Sequence, residues 1–462
     1  MTASGPTSAS TSLSREILLV SLPALGALAA DPLVSLVDTA FVGRLGPDAL
    51  GALGINTAVF NLAFFVFNFL AYGTTPLVAR AVGAGRPERA SRLVTTALWL
   101  AVGLGLASTL ILQVAAPWIL EAMGATGSVA ISAMVYLRIR SIAAPAVLLV
   151  TVGHGAFRGF QDTRTPLRVS MGISVANLIL DPLLIFGLGW GVAGAAVATA
   201  AAQWIGALWF LFILFRRAGV LPTQPAGDGE TRVHIPPFAR PHRDELLQLL
   251  RAGNLLVVRT LALMPTFTLA TAVAARMGTA QVAAHLIASQ LWLFLALVID
   301  ALAIAGQAMV GLRMGRGQRE DARDVAQRLF VWGAGLGATL AALFWMLRGT
   351  LPLLFTPDPQ VIETTRALMP FVAVMQPVNA LVFVADGVFI GALDFRYLAA
   401  SMVLSAGVAS TLLLLALPLG WGIEGVWWAM VSLMGVRFVT LAWRFCAPAG
   451  PLGSSASPPP TP

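Results

Sequence analysis

Asp38 stands in the run Val34 to Gly43, VSLVDTAFVG, and apolar residues continue back through LLVSLPALGALAADPL. A charged side chain at the centre of a bilayer costs a few kcal/mol or more, so a carboxylate kept in such a run is a candidate to take up and release a proton or a cation. A second carboxylate, Asp181, closes the segment ANLILDP. Asn177 and Asp181 are four residues apart and share one helix face. Pro182 lacks an N–H and frees the carbonyl four residues back, at Leu178. A carboxylate, an amide and a loose carbonyl thus gather at one place. Each acid has a purely structural alternative. Asp38 could be a helix-end carboxylate pairing with Arg44, and the Asp–Pro pair could only shape its helix.

Five more ionisable residues lie in apolar runs. Asp31 precedes Pro32, is seven residues from Asp38 on nearly the same face, and has bending of the helix as its simplest role. His154 and His285 read as buried, hydrogen-bonded or packing histidines, and Asp300 and Asp386 as further acids able to titrate. Arg138 and Arg140 are expected toward the outer end of the fourth helix.

The elements that must carry these residues follow from composition. The 462 residues are 58% hydrophobic and 11% charged, with a mean hydropathy of +0.83; a soluble domain carries about 25% charged residues. The chain therefore reads as an integral membrane protein. It has no Lys, and its net charge of +8 comes from 29 Arg, mostly in short loops between apolar runs, so no nucleic-acid partner is expected. One Cys excludes an internal disulfide and a Cys-based metal site, and no metal or other cofactor is expected. There is no GxxxxGK[ST], which excludes an ATP-driven pump on this chain, and no GxSxG, HExxH or CxxC. No catalytic residues are assigned. A membrane-embedded lipid-modifying enzyme would need clustered acids or histidines at headgroup level, which the Pro-rich 217–243 segment does not offer.

Twelve runs are long enough to span, at about 17–43, 51–79, 92–117, 128–153, 166–187, 191–215, 246–275, 281–311, 325–348, 364–390, 397–418 and 423–444. The first lacks a small-residue cleavage site and reads as a membrane helix. The resulting organisation is an N-terminal tail (1–16), an N-lobe (17–216), a hydrophilic linker (217–243), a C-lobe (244–446) and a disordered C-terminal tail (447–462). Arginines crowd one set of loops (Arg86, Arg89, Arg92; Arg158, Arg164, Arg168; Arg216 to Arg243; Arg313 to Arg323), while the other set carries little beyond Arg44, Arg276 and Arg348. The excess of Arg places both termini and the linker in the cytoplasm, with the chain multi-pass in the cell (inner) membrane.

The chain also repeats itself. A shift of 232 residues superposes Arg44 on Arg276, Gly83 on Gly315, Glu88 on Glu320, Pro145 on Pro377, Gly155 on Gly387, Asp162 on Asp394 and Arg164 on Arg396, and a one-residue slip then aligns GWGVAG with GWGIEG. Each half holds six helices, so the fold class is all-α integral membrane: twelve transmembrane helices in two six-helix lobes, a parallel repeat about an axis along the membrane normal. Such a layout suits a transporter that rocks about a central cleft. Under the same shift Asp38, Asn177 and Asp181 fall on Ala270, Ala409 and Leu413. The second half keeps the scaffold without the acids, an asymmetry that favours function over folding as their role.

The segments VDTAFVGRLGPDALGALG, FRGFQDTRTPL, NLILDPLLIFGLGWGVAGAAVAT, MGTAQVAAHLIASQLW and DALAIAGQAMVG, in that order over about 15–445, resemble the multidrug and toxic compound extrusion (MATE) transporters, the last of them the DinF-type branch. The resemblance implies two lobes with a cleft opening alternately to each side. It also implies secondary active export of small organic, often cationic or amphipathic, compounds in exchange for H⁺ or Na⁺. It implies that Asp38, Asn177 and Asp181 form a proton-linked cluster in the N-lobe, with Tyr136 and Thr199 beside it. The Na⁺-coupled branch uses an acid in helix 7 with an Asp in helix 10. Here the helix 7 position falls near Leu263 and only Asp386 remains, so H⁺ coupling is the expectation. His154, Asp31, Asp386 and Asp300 are secondary candidates. A lipid or lipid-linked oligosaccharide flippase of the wider superfamily is the alternative, and would need several Arg in the cleft. The protein is expected to work as a monomer in the lipid bilayer.

Overall fold

In hydrocarbon a long apolar run has few ways to satisfy its backbone N–H and C=O groups, and the helix is the simplest. Every regular element among the described residues of the computed structural model is helical. The structure describes residues 6–216, 235–236 and 239–453. Most of the expected linker, the first five residues and the C-terminal end from 454 lie outside the described residues.

The first repeat comprises α1 (Pro6–Gly43), α2 (Pro47–Phe65) running through a 3₁₀ turn at Val66–Asn68 into α3 (Phe69–Gly83), α4 (Pro87–Ala122), α5 (Gly127–Ser141), α6 (Ala144–Gly159), α7 (Arg164–Pro182) and α8 (Gly191–Arg216). The second comprises α9 (Arg243–Met277), α10 (Thr279–Gly315), α11 (Arg319–Leu347), α12 (Pro359–Val374), α13 (Gln376–Gly391), α14 (Phe395–Ala416) and α15 (Gly422–Cys446). Ten stretches are long and apolar enough to cross a membrane; α5 with α6 and α12 with α13, each pair bent by 50°, bring the number to twelve.

The chain divides into two compact units, Leu22–Gly253 and Met1–Ser21 with Asn254–Pro462. These boundaries differ from the 17–216 and 244–446 drawn from the sequence, because each repeat's first helix begins among the side chains of the other repeat. Residues 6–16, set aside as a tail, are the opening turns of α1. Arg313 donates to Glu16 at 2.7 Å, Arg328 donates to Ser14 at 3.0 Å, and Ile17 and Val20 are buried against α10, α11 and α13. In the other unit the first turns of α9 are held by Arg92, which donates to Glu245 at 2.9 Å, and by Arg89, which donates to Gln248 at 3.3 Å. Residues 447–453 are likewise not a disordered tail: Leu452 is buried in the α10–α11–α13 core and its carbonyl accepts from Arg323 at 3.3 Å.

The repeat is built into the backbone. A Cβ on Gly105 would meet Pro145 Cα at 2.4 Å, and one on Gly337 would meet Pro377 Cα at 2.7 Å, 232 residues on. Gly155 against Ala71 and Gly387 against Ala303 form a second such pair, and Gly159 against Val78 and Gly391 against Val310 a third. These close approaches seat α6 on α3 and α4, and α13 on α10 and α11. The two non-glycine residues with left-handed backbone among the described residues, Gln161 (φ 64°) and Leu393 (φ 63°), are also repeat partners. A strain of about 1–3 kcal/mol kept at the same place in both halves marks a turn the packing over-determines.

A side chain at Gly387 has nowhere to go, since its Cβ would lie 2.2 Å from the Ala303 carbonyl oxygen. Gly387→Val should cost about 2 kcal/mol or more and lower the thermal unfolding midpoint in detergent. Gly407→Ala, with open space around it, should leave the midpoint unchanged or raised.

Candidate functional site

The first unit encloses a cavity of about 540 Å³ lined by α1, α2, α5, α6, α7 and α8. Local structure explains how each polar group reaches it. Asp31 and Asp38 lie two helical turns apart on α1, and both line the cavity. Asn56 of α2 donates to the Ala133 carbonyl at 3.1 Å and ties α2 to α5 one turn before Tyr136. Past Pro182, α7 widens into a π turn at Leu183–Gly187. Gly194 packs on the Leu184 carbonyl, where a Cβ would sit at 2.7 Å. That contact seats the start of α8 on the end of α7, and Thr199 follows beside Asn177.

Asn177 is the centre of the group. With its amide nitrogen turned to the two acids it donates to Asp38 Oδ1 at 2.6 Å and to Asp181 Oδ2 at 3.2 Å; the opposite orientation would set its oxygen against their oxygens. The other amide atom lies 3.4 Å from Thr199 Oγ1. Thr199 donates to the Ala195 carbonyl at 2.9 Å, and Tyr136 lines the same cavity wall. Asp38 and Asp181 both accept from that one amide nitrogen, so their carboxyl groups stand side by side. Two carboxyl groups so placed need a proton between them, because two adjacent charges in low dielectric repel strongly. Asp181 and Asn177 are buried at 0% and 1% exposure, whereas Asp38 at 9% reaches the cavity wall. The arrangement can hold one proton, pass it between two carboxyls through one amide-braced site, and present a carboxylate to whatever occupies the cavity.

Of the secondary candidates only Asp31 lines the cavity; the others fall elsewhere. His154 on α6 hydrogen-bonds Ser170 Oγ at 3.3 Å and meets the Phe210 ring edge-on, away from the cavity lining. His285 packs against Trp427 and lies 3.4 Å from Thr271 Oγ1. Asp300 is half-buried on α10 in the second unit. Asp386, on α13 of the second unit, is clasped by Arg259 of α9 at 2.5 Å and by Arg437 of α15, both on the same carboxylate oxygen. Asp386 thus has two cations as partners, not a second acid.

Three arginines within the spans were not weighed as site residues in the sequence: Arg140, named there only for its place on the fourth helix, Arg259 and Arg437. Arg140 lies at the 50° break between α5 and α6, on the cavity wall, and not toward the outer end of the span. The signal was present. Each stands in an apolar run, VYLRIRSIAAP, NLLVVRTLALMP or LMGVRFVT, and the rule that singles out intramembrane acids applies equally to arginine.

The family model MatE matches residues 23–183 and, a second time, 256–415. The chain is 38% identical to Protein DETOXIFICATION 44, chloroplastic, of Arabidopsis thaliana over 94% of its own length and 83% of that protein's. It is 30% identical to DNA damage-inducible protein F of Escherichia coli (strain K12), covering 94% and 93%. Among solved structures, one described as MATE in the bent conformation superposes with a TM-score of 0.84 at 23% identity, covering 93% of this chain and 94% of that one.

Removing the Asp386 carboxylate would take from two buried guanidiniums in the second unit the acid they share. Asp386→Asn should cost about 3–5 kcal/mol and lower the thermal midpoint in detergent. Asp38→Asn, which removes one of two carboxyls sharing a proton, should cost under about 1 kcal/mol by the same measurement.

Proposed function

The chain belongs to the MATE family of multidrug and toxic compound efflux transporters, and from that premise we propose that it is a proton-coupled antiporter whose coupling group is Asp38–Asn177–Asp181. The observation that carries this reading is the amide-bridged acid pair opening onto the cavity through Asp38. When the cavity faces the acidic side, a proton enters between the two carboxyls. Asn177 keeps donating to both while the charge of the pair falls by one, and an organic compound held by Asp38 loses its counter-charge and leaves. On the other side the proton departs and the restored charge takes up the next molecule. One carboxylate serving proton and substrate in turn is the simplest source of obligatory exchange.

Proton in preference to sodium is supported by the second unit. Asp386, the acid that matches the sodium-coupled branch, is held by two guanidiniums, and a cation would have to displace one of them. The whole cluster and its cavity lie within Leu22–Gly253 of a single chain, which suits a monomer. The arginine-rich loops support cytoplasmic termini in a cell (inner) membrane.

In proteoliposomes, an imposed pH gradient should drive export of a fluorescent organic cation, and replacing Na⁺ by choline should change the rate by less than about twofold. Asp38→Asn and Asp181→Asn should each reduce gradient-driven export by about tenfold or more, the size expected when a charge-assisted contact is lost. Export at the wild-type rate in both variants, or strong Na⁺ dependence, would overturn the assignment.

A further inference from the structure

Arg140 is the one cation among the residues lining the first unit's cavity. Its guanidinium sits over the Phe60 ring at 5.5 Å. It makes no hydrogen bond and no ion pair within 4.0 Å among the described residues, and its Nη1 is buried without a partner. Asp31 and Asp38 line the same cavity, yet neither closes on the guanidinium. A guanidinium offers five N–H donors in a rigid fork matched to the two oxygens of a carboxylate or phosphate. In a membrane-embedded cavity such donors are costly to leave without acceptors.

The same wall carries the means to hold the rest of a polar ligand. Asn61, Asn68 and Gln203 provide amides, and Phe64 and Phe65 an apolar surface. The cavity therefore presents a carboxylate for a basic group and, beyond ion-pair distance from it, a guanidinium with free donor capacity. A purely cationic molecule would satisfy Asp38 and be repelled by Arg140. A molecule that adds an acidic group would satisfy both.

We propose that Arg140 selects substrates that carry a carboxylate or phosphate in addition to a basic or polar group. This rests on the cavity being the substrate site, as argued above. The competing role for Arg140 is a fixed counter-charge to Asp31 and Asp38, which would affect all ligands alike.

Rhodamine 110, a free carboxylic acid, and rhodamine 123, its methyl ester, differ only in the group at issue. Fluorescence polarisation on the full-length purified protein should show the acid binding about tenfold more tightly than the ester, about 1.4 kcal/mol. Arg140→Gln should bring the ratio of the two affinities to about one. Arg140→Lys, which keeps the charge without the fork, should restore part of it. A ratio unchanged in Arg140→Gln, a parallel fall for both dyes, tighter binding of the ester, or binding of neither would each overturn the proposal. Because the readout is binding, a protein that discriminates the dyes and fails to export either under a pH gradient would overturn the antiporter reading and leave the role of Arg140 standing.

Discussion

A charge inside a hydrocarbon layer must be neutralised by a proton or matched by an opposite charge, and the two units of this chain use one solution each. In the first, Asp38 and Asp181 are set side by side and bridged by Asn177, so one proton removes most of their mutual repulsion. In the second, Asp386 receives two guanidiniums, and no proton is needed. A group balanced by a proton can change its charge when the proton leaves. A group balanced by fixed arginines cannot do so without large loss. An acid pair able to change its charge and an ion triad that keeps it differ in how each charge is compensated.

The scaffold beneath them is the same twice over. Gly105 on Pro145 and Gly337 on Pro377, the paired 50° breaks, and the left-handed turns at Gln161 and Leu393 show that both repeats obey one set of packing constraints. The chemistry does not repeat. Asp38, Asn177 and Asp181 correspond to Ala270, Ala409 and Leu413, while Asp386 corresponds to His154. Close backbone approaches leave little room for drift at glycine and proline positions. A side chain lining a cavity has no such restraint, so duplicated halves diverge there.

Much of this was legible in the sequence because membrane solvent imposes strong patterns. Apolar runs located all twelve spans, and one offset of 232 exposed the repeat. The i, i+4 relation put Asn177 and Asp181 on one face. That Asp38 would meet them could not be read from spacing, since α1 and α7 are far apart along the chain and meet by tertiary packing, as where a Cβ on Gly26 would lie 2.8 Å from Leu167 Cδ1. The compact units begin five and ten residues later than the lobes drawn from hydropathy, because Glu16 and Glu245 pair with arginines far along the chain and linear hydropathy carries no record of partners. Arg259 and Arg437 went unread for a related reason. An intramembrane arginine becomes interpretable only once its acid is known, and Asp386 lies 127 residues from the one and 51 from the other.

The anchoring of α1 also bears on biosynthesis. Glu16 and its partner Arg313 are separated by 297 residues. At about 5–20 residues per second, a ribosome needs roughly 15–60 s to deliver that arginine after the glutamate has emerged. The opening turns of the first helix therefore wait, with Ile17 and Val20 uncovered, until α10 and α11 are made. Glu245 meets Arg92 the moment it is synthesised, its partner having preceded it by 153 residues. The two repeats, alike in their folded geometry, are thus completed in opposite temporal order, the later one closing on a partner already in place and the earlier one left open until nearly three quarters of the chain exists.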